Sequence, residues 1–196
     1  MTKSWRTEFA REGRFSVHGV IAMAVAALCL SLLAGCGGAV VEVGDDVEGL
    51  ERAEVVRVVD GDTLQVRIDG EKEKVRLIGI NCPESVANDE RRNTAEGVDA
   101  SDYTKSLVRE GDIVWLQMDY NDTDQYGRLL RYVWIEKPSS LNDPDEVADK
   151  MLNAILVRDG YADARRYDED TRYAYVFEDL EDEAVAHDRG VSYMWA

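Results

Sequence analysis

The sequence is poor in cysteine, histidine and long apolar runs, and each shortage argues against a class of protein. Three cysteines cannot build a disulfide scaffold. Neither histidine, His18 or His187, is an evident partner for Cys82, which disfavours a cysteine nucleophile activated by histidine. The apolar run over residues 20–33 is shorter than the roughly 20 residues that span a membrane as a helix.

Basic residues are also scarce relative to acidic ones. The chain has 23 Lys and Arg against 40 Asp and Glu, a formal net charge of -17. This balance argues against a protein that holds nucleic acid or acidic lipid by a broad cationic surface. Apolar residues make up 45% of the 196 residues, so wholesale disorder is excluded and one domain plus a tail is expected.

The N-terminal segment has the layout of an export signal. Basic residues precede the apolar run over residues 20–33, and small residues follow it. The end of the run, Leu33-Ala34-Gly35-Cys36, resembles the lipobox of bacterial lipoproteins. That resemblance implies a signal peptide over residues 1–35 and lipidation of Cys36. It would place the protein outside the cytoplasm, anchored to the outer face of the cell membrane. A retained N-terminal anchor helix is the alternative.

The segment after Cys36 is rich in glycine and acidic residues, which indicates a solvated tether over residues 36–52. Removal of residues 1–35 and lipidation of Cys36 would leave Cys82 as the one free cysteine. An intrachain disulfide is therefore not expected. The folded domain is predicted to cover residues 53–196.

Within this domain, strands dominate the first half and helices the second. Alternating and β-branched residues predict five strands: 55–59, 63–69, 75–80, 113–118 and 129–135. Helical patterns predict three helices: about 94–109, 143–160 and 171–188. Five short strands with inserted and trailing helices predict a mainly β, α+β fold. We expect a five-stranded OB-fold barrel flanked by about three helices.

Two clusters near the first strands can support chemistry. Asp60-Gly61-Asp62-Thr63 offers carboxylates to a hard cation, although Asp-Gly is also common in hairpin turns. Arg76 lies near the middle of an apolar strand, where its charge needs an anion. Asn81 and Glu84 follow that strand. The alternative is that Arg76 and Glu84 form a buried pair that holds a loop.

A third cluster, residues 124–128, combines a turn, an aromatic ring and a guanidinium just before a strand. Arg128 can bind a phosphate through two parallel hydrogen bonds, and Tyr126 can stack on a base. Each feature alone is ordinary surface. Together, two arginines, a free carboxylate and a metal-binding carboxylate are the groups that phosphodiester hydrolysis requires.

These motifs resemble the staphylococcal-nuclease-like, or thermonuclease, family. The resemblance covers about residues 53–196 and rests on Val-Asp-Gly-Asp-Thr at 59–63, Arg-Leu-Ile-Gly-Ile-Asn-Cys-Pro-Glu at 76–84 and Tyr-Gly-Arg at 126–128. It implies a calcium-dependent nuclease with one bound ion, DNA or RNA as substrate, and an OB-type barrel. No protein partner is implied, and a monomer is expected.

The resemblance also implies roles for individual residues. Arg76 and Arg128 match the family's two catalytic arginines, which hold the phosphate and stabilise the transition state. Glu84 matches its catalytic glutamate, a general base or a group that positions the attacking water. Tyr126 matches a tyrosine that packs on the nucleotide.

The implied metal ligands are Asp62, Asn81 and the main-chain carbonyl of Cys82. Asn81 lies where the family typically has a second metal-binding aspartate. It keeps an oxygen ligand but lacks the negative charge, so weaker metal binding is expected. Gln125 lies where some members have a cationic residue that contacts a terminal phosphate, and residues 163–167 do not follow the family's tyrosine-rich stretch.

The sequence leaves two other kinds of function open. The domain could be a non-catalytic OB-type module that binds nucleic acid or a protein at the cell surface. It could also be a structural lipoprotein. Degenerate copies of such domains usually lose the arginines or the glutamate, whereas Arg76, Glu84 and Arg128 are all present. This favours the enzyme.

Overall fold

The computed structural model describes residues 47–85, 93–167 and 169–196. The predicted signal peptide, Cys36 and the tether up to residue 46 lie outside the described residues. The strands are β1 (Leu50–Asp60), β2 (Thr63–Ile68), β3 (Glu71–Leu77), β4 (Ile80–Asn81), β5 (Ile113–Gln117), β6 (Leu129–Trp134) and β7 (Asp163–Ala164). The helices are α1 (Ala95–Leu107), α2 (Pro144–Lys150), α3 (Leu152–Arg158) and α4 (Ala174–Ala186), followed by a 3-10 turn over Ser192–Met194.

Five strands close into a barrel in the order β1-β2-β3-β6-β5, which confirms the predicted OB-type fold. The first three strands are consecutive antiparallel neighbours. β3 then pairs with β6 in parallel, and β5 joins β6 to β1. In the described ranges, no helix is both long and apolar enough to cross a bilayer.

The β2–β3 hairpin follows directly from its sequence. Leu64 and Val66 alternate on the buried face of β2. Asp69 and Gly70 have positive φ angles of 49° and 94°, as a two-residue turn between twisted strands requires. The adjacent strand β1 begins at Leu50, so its first residues fall in the segment expected to be a tether. They form a strand because Leu50 to Glu54 pair with β5.

The helix predicted over residues 143–160 is two helices, so the described residues contain four helices where about three were expected. Its start is as predicted: Asp143 caps α2 by accepting a 3.0 Å hydrogen bond from the Asp145 amide. The break falls at Met151, whose backbone is extended (φ -95°, ψ 121°) and bridges Trp134 of β6. Pairing with the sheet therefore interrupts a helical sequence pattern.

Asn153 of α3 joins the helical layer to the barrel. It is fully buried, and its Oδ1 accepts a 2.9 Å hydrogen bond from the Val133 amide in β6. Its Nδ2 donates to the Ile78 carbonyl at 2.8 Å, in the turn between β3 and β4. One side chain thus satisfies main-chain groups of β6 and of the turn after β3, two regions next to the candidate site residues.

Substitution of Asn153 by Ala should destabilise the domain by about 2 to 4 kcal/mol. The change leaves a buried amide and a buried carbonyl without partners, each of which costs about 1 to 3 kcal/mol. Urea denaturation followed by circular dichroism measures the effect. Asn142→Ala is the matched control, since Asn142 is exposed and should change stability by less than about 0.5 kcal/mol. Equal effects of the two substitutions would contradict this role.

Candidate functional site

Asp62 lies in the tight turn between β1 and β2 and is 8% exposed. Its Oδ1 accepts a hydrogen bond from the Thr63 hydroxyl at 3.0 Å. Its Oδ2 accepts the Cys82 amide at 3.0 Å and lies 3.0 Å from Nη2 of Arg76. The carboxylate therefore joins the turn, β3 and the segment after β4 at one point.

Arg76 is the largely buried cation that pairs with Asp62. It stands opposite Thr63 in the β2–β3 pairing, and its side chain is 13% exposed. Besides Asp62, its guanidinium donates to the carbonyls of Leu77 at 2.7 Å and Ile80 at 3.2 Å. The anion expected for an arginine in an apolar strand is thus Asp62, and the arginine also fixes the turn between β3 and β4.

The segment after β4 packs tightly against the same turn. A Cβ at Gly61 would lie 2.8 Å from Cβ of Cys82, so only glycine fits there. Asp60 accepts hydrogen bonds from the Gly61 amide at 2.9 Å and the Ser85 hydroxyl at 2.5 Å. Burial, together with the charge of Asp62, raises the pKa of the Cys82 thiol. Cys82 is therefore a neutral thiol and not a nucleophile.

Arg128 is held by Asp124 within one tight loop. Asp124 Oδ1 accepts the amides of Tyr126 and Arg128, each at 2.9 Å, and its Oδ2 accepts Nε of Arg128 at 2.6 Å. Burial alone would raise the pKa of Asp124. The hydrogen bonds and charge of Arg128 and the amide of Tyr126 lower the pKa by more than burial raises it, so it lies below its ordinary value. The carboxylate stays ionised and orients the guanidinium.

Tyr126 extends from the same loop into solvent, with 76% of its surface exposed. The guanidinium carbon of Arg128 lies 5.6 Å from the centre of its ring. An exposed aromatic face next to a cation suits a nucleobase attached to a phosphate.

A pocket of about 450 Å³ brings three of the predicted site residues together. Arg76, Tyr126 and Arg128 all line it, although Arg76 comes from β3 and the other two precede β6. The parallel pairing of β3 with β6 sets Arg76 opposite Leu130, which explains why both arginines line this pocket. Two arginines that line one cavity can provide a site for a phosphate group.

The other predicted residues lie outside this pocket. Asn81 lines a second pocket of about 210 Å³, whose other lining residues include Asp163, Arg165 and Trp195. Glu84 lines neither pocket. Its main chain is fixed by a 3.0 Å hydrogen bond from the Thr94 amide to its carbonyl, at the start of α1.

The predicted calcium ligands suit a hard cation in their chemistry. In the described ranges, no three His, Cys, Asp or Glu side chains gather into a metal site. A cation would instead depend on mixed oxygen donors, namely the Asp62 carboxylate, the Asn81 amide and the Cys82 carbonyl, a donor set typical of calcium. A buried acceptor without a partner, Oδ1 of Asp163, lies across the β4–β7 pair from Asn81. In the chemistry of its oxygen donors, the predicted set therefore suits such an ion.

Sequence reasoning gave no role to two acidic residues that line the first pocket. Asp124 could have been found, because an aspartate two residues before Tyr126 and four before Arg128 has the spacing of a turn that accepts backbone amides. Asp170 carried no local signal. It is 3% exposed and accepts the amides of Tyr120 and Asn121, both at 2.9 Å and about 50 residues away.

Comparison with known proteins identifies relatives along most of the chain. The family model described as Staphylococcal nuclease homologue matches residues 74–196. The thermonuclease of Staphylococcus intermedius is 34% identical over 168 residues, which cover 84% of this chain and 89% of that protein. The thermonuclease of Staphylococcus hyicus is 35% identical over 133 residues, 66% of this chain and 69% of that protein. Endonuclease YncB of Bacillus subtilis is 34% identical over 132 residues, 65% of this chain and 55% of that protein.

Replacing Asp124 by Asn should reduce stability in a pH-dependent way. Because the pKa of Asp124 is lowered in the folded protein, its contribution is complete above the unfolded pKa of about 3.9 and is lost as the pH falls through the folded pKa. We expect a deficit of roughly 1 to 2 kcal/mol at neutral pH. It should shrink below about pH 4.

Urea denaturation of both proteins at several pH values measures this deficit. Asp102→Asn is the control, because its side chain is 65% exposed in a pair with Lys105 and should contribute little at any pH. A deficit that does not change between neutral and acidic pH would rule out a charged role for Asp124.

Proposed function

The chain belongs to the staphylococcal nuclease family, and we propose that it is a calcium-dependent nuclease that hydrolyses phosphodiester bonds of DNA, RNA or both. The observation that carries this proposal is that Arg76 and Arg128 line one pocket together with the exposed Tyr126. Relatives named as thermonucleases and as an endonuclease support the reaction class. The family resemblance supports calcium as the metal.

In this proposal the two arginines bind one phosphate from different directions. Arg128, oriented by Asp124 through Nε, presents its terminal nitrogens to the phosphate oxygens. Arg76, held by Asp62 and two carbonyls, adds a second positive charge. Charge that develops on the phosphate oxygens in the transition state is stabilised by donors that are already in place. Tyr126 stacks on the neighbouring base and positions the strand.

The remaining residues would hold the metal ion and activate or position the attacking water. Calcium, held by Asp62, Asn81 and the Cys82 carbonyl, would supply Lewis-acid stabilisation of the phosphate. Glu84 would accept a proton from the attacking water or hold that water in line. The water oxygen forms a bond to phosphorus as the ester P–O bond breaks, and the departing oxygen takes up a proton.

Substitution of Arg128 by Lys should lower kcat by about 100-fold or more. Lysine keeps the charge but loses both the planar fork and the Nε bond to Asp124. A calcium-containing digestion assay on defined single-stranded DNA and RNA measures the change. Arg57→Lys is the matched control, because exposed Arg57 also uses Nε in a hydrogen bond, to Gln65 at 3.1 Å, but lies outside the pocket.

Three results of this assay would have separate meanings. Failure of the wild-type protein to cleave either substrate would overturn the nuclease proposal, and retained binding without cleavage would favour an OB-type binding module. Cleavage that persists in a calcium chelator would overturn calcium dependence. Loss of activity in Glu84→Gln with retained substrate binding would support the role of Glu84 toward water.

We also propose that the nuclease domain is exported and held at the outer face of the cell membrane through lipidated Cys36. The support is the sequence Leu33-Ala34-Gly35-Cys36 after a basic segment and an apolar run. A lipid chain anchors a protein by burying its methylene groups, and stable anchoring needs more than one chain.

Replacement of Cys36 by Ser should move the protein out of the membrane fraction. A serine cannot take the thioether-linked lipid, so the chain should lose its lipid anchor and be released. Expression in a bacterium, followed by fractionation and mass determination of the mature N-terminus, tests this. Cys29→Ser is the control, since Cys29 lies within the predicted signal. Equal distribution of both variants in the membrane would argue for a retained anchor helix.

A further inference from the structure

The short β4–β7 pair places an acidic residue opposite a proposed metal ligand. Asn81 and Asp163 are directly opposed in this antiparallel pair, and such residues project to the same face with Cβ atoms about 5 Å apart. They line the same pocket of about 210 Å³. The residue that lacks a charge therefore has a carboxylate as its nearest cross-strand neighbour.

Asp163 is buried but only half satisfied. It is 5% exposed, and one oxygen, Oδ2, pairs with Nη2 of Arg165. The other oxygen, Oδ1, has no hydrogen-bond partner. In the described part of the chain only Gln117 Nε2 and Trp195 Nε1 share this condition. A buried acceptor without a partner costs free energy. Oδ1 is therefore expected to contact a cation or a hydrogen-bond donor.

Arg165 engages Oδ2 of this carboxylate and leaves Oδ1 without a hydrogen-bond partner. Its side chain is 55% exposed. The Arg165 amide is bound to the Gly79 carbonyl at 2.9 Å, which fixes the strand that carries Asp163. The carboxylate is thus held at the pocket with one oxygen engaged and one free.

We propose that Asp163 supplies, through Oδ1, the second carboxylate of the cation site and so replaces the charge that Asn81 lacks. This inference rests on the proposed calcium-dependent function. Calcium affinity depends on the number of charged oxygen ligands, and Asp62 alone would leave the site with one. In this arrangement the second negative charge of the site lies on β7, at Asp163, instead of on β4, at Asn81.

Two purely structural roles for Asp163 would give different results. If Asp163 serves only to hold Arg165, removing either partner should have the same effect. If a water molecule bridges Asp163 Oδ1 and Trp195 Nε1, calcium affinity should not depend on Asp163, because a buried water merely satisfies both groups.

Isothermal titration of the full chain with calcium chloride separates these structural roles from metal binding. Asp163→Asn should weaken calcium binding at least about tenfold. Arg165→Gln should leave it unchanged or tighten it, since it removes a positive charge next to the carboxylate. Asp179→Asn, an exposed aspartate of α4, is the matched control and should match the wild type. Urea denaturation in calcium-free buffer verifies that each variant is folded.

A charge swap keeps the test decisive even if Asp163→Asn is unstable. The double variant Asn81→Asp with Asp163→Asn moves the carboxylate back across the strand pair. We expect it to recover most of the affinity lost in Asp163→Asn. Unchanged affinity in folded Asp163→Asn, equal losses in Asp163→Asn and Arg165→Gln, or no recovery in the double variant would each overturn the inference.

The same proteins distinguish failure of this inference from failure of the proposed function. A wild-type protein that binds calcium and cleaves nucleic acid, with affinity independent of Asp163, would overturn only the role of Asp163. A wild-type protein that binds calcium through Asp163 but cleaves nothing would overturn only the nuclease proposal. Absence of calcium binding in the wild type would overturn the role of Asp163 and calcium dependence together.

Discussion

The ion pair between Asp62 and Arg76 is the contact on which the site depends. Both side chains are almost withdrawn from water, where an uncompensated charge would cost several kcal/mol. The pair therefore forces the β1–β2 turn, β3 and the Cys82 segment to meet at one place. The same carboxylate also accepts the Cys82 amide, so a stability requirement and the placement of the proposed metal ligands are one constraint.

The second arginine is positioned by local means. Asp124 hydrogen-bonds Arg128, four residues later in the same loop. The parallel β3–β6 pairing then places this loop and Arg76 at the same pocket. On the helical side, the Asn153 amide hydrogen-bonds main-chain groups next to these regions, the Val133 amide and the Ile78 carbonyl. One largely buried ion pair, one loop and one buried amide thus position the residues of the pocket. The pocket does not require a broad positive surface, which the composition argues against.

Sequence reasoning predicted the parts of the fold that local patterns encode. The β2–β3 hairpin follows from alternating residues and Asp69-Gly70, and the start of α2 follows from Asp143 and Pro144. It did not predict the break at Met151, because the sequence there is helical and the interruption comes from pairing with Trp134. It likewise placed the start of the domain after Leu50, whose strand character depends on β5.

The same division applies to the site. Short motifs alone specified which groups are available, namely two arginines, a glutamate, oxygen donors and an aromatic ring, because neighbouring residues carry that chemistry together. Which of these groups meet was settled by the folded barrel. It paired Arg76 with Asp62, set Arg76 and Arg128 in one pocket, and brought Asp163 opposite Asn81. Only strand order and register can join residues so far apart in the chain, since no local pattern specifies a distant partner.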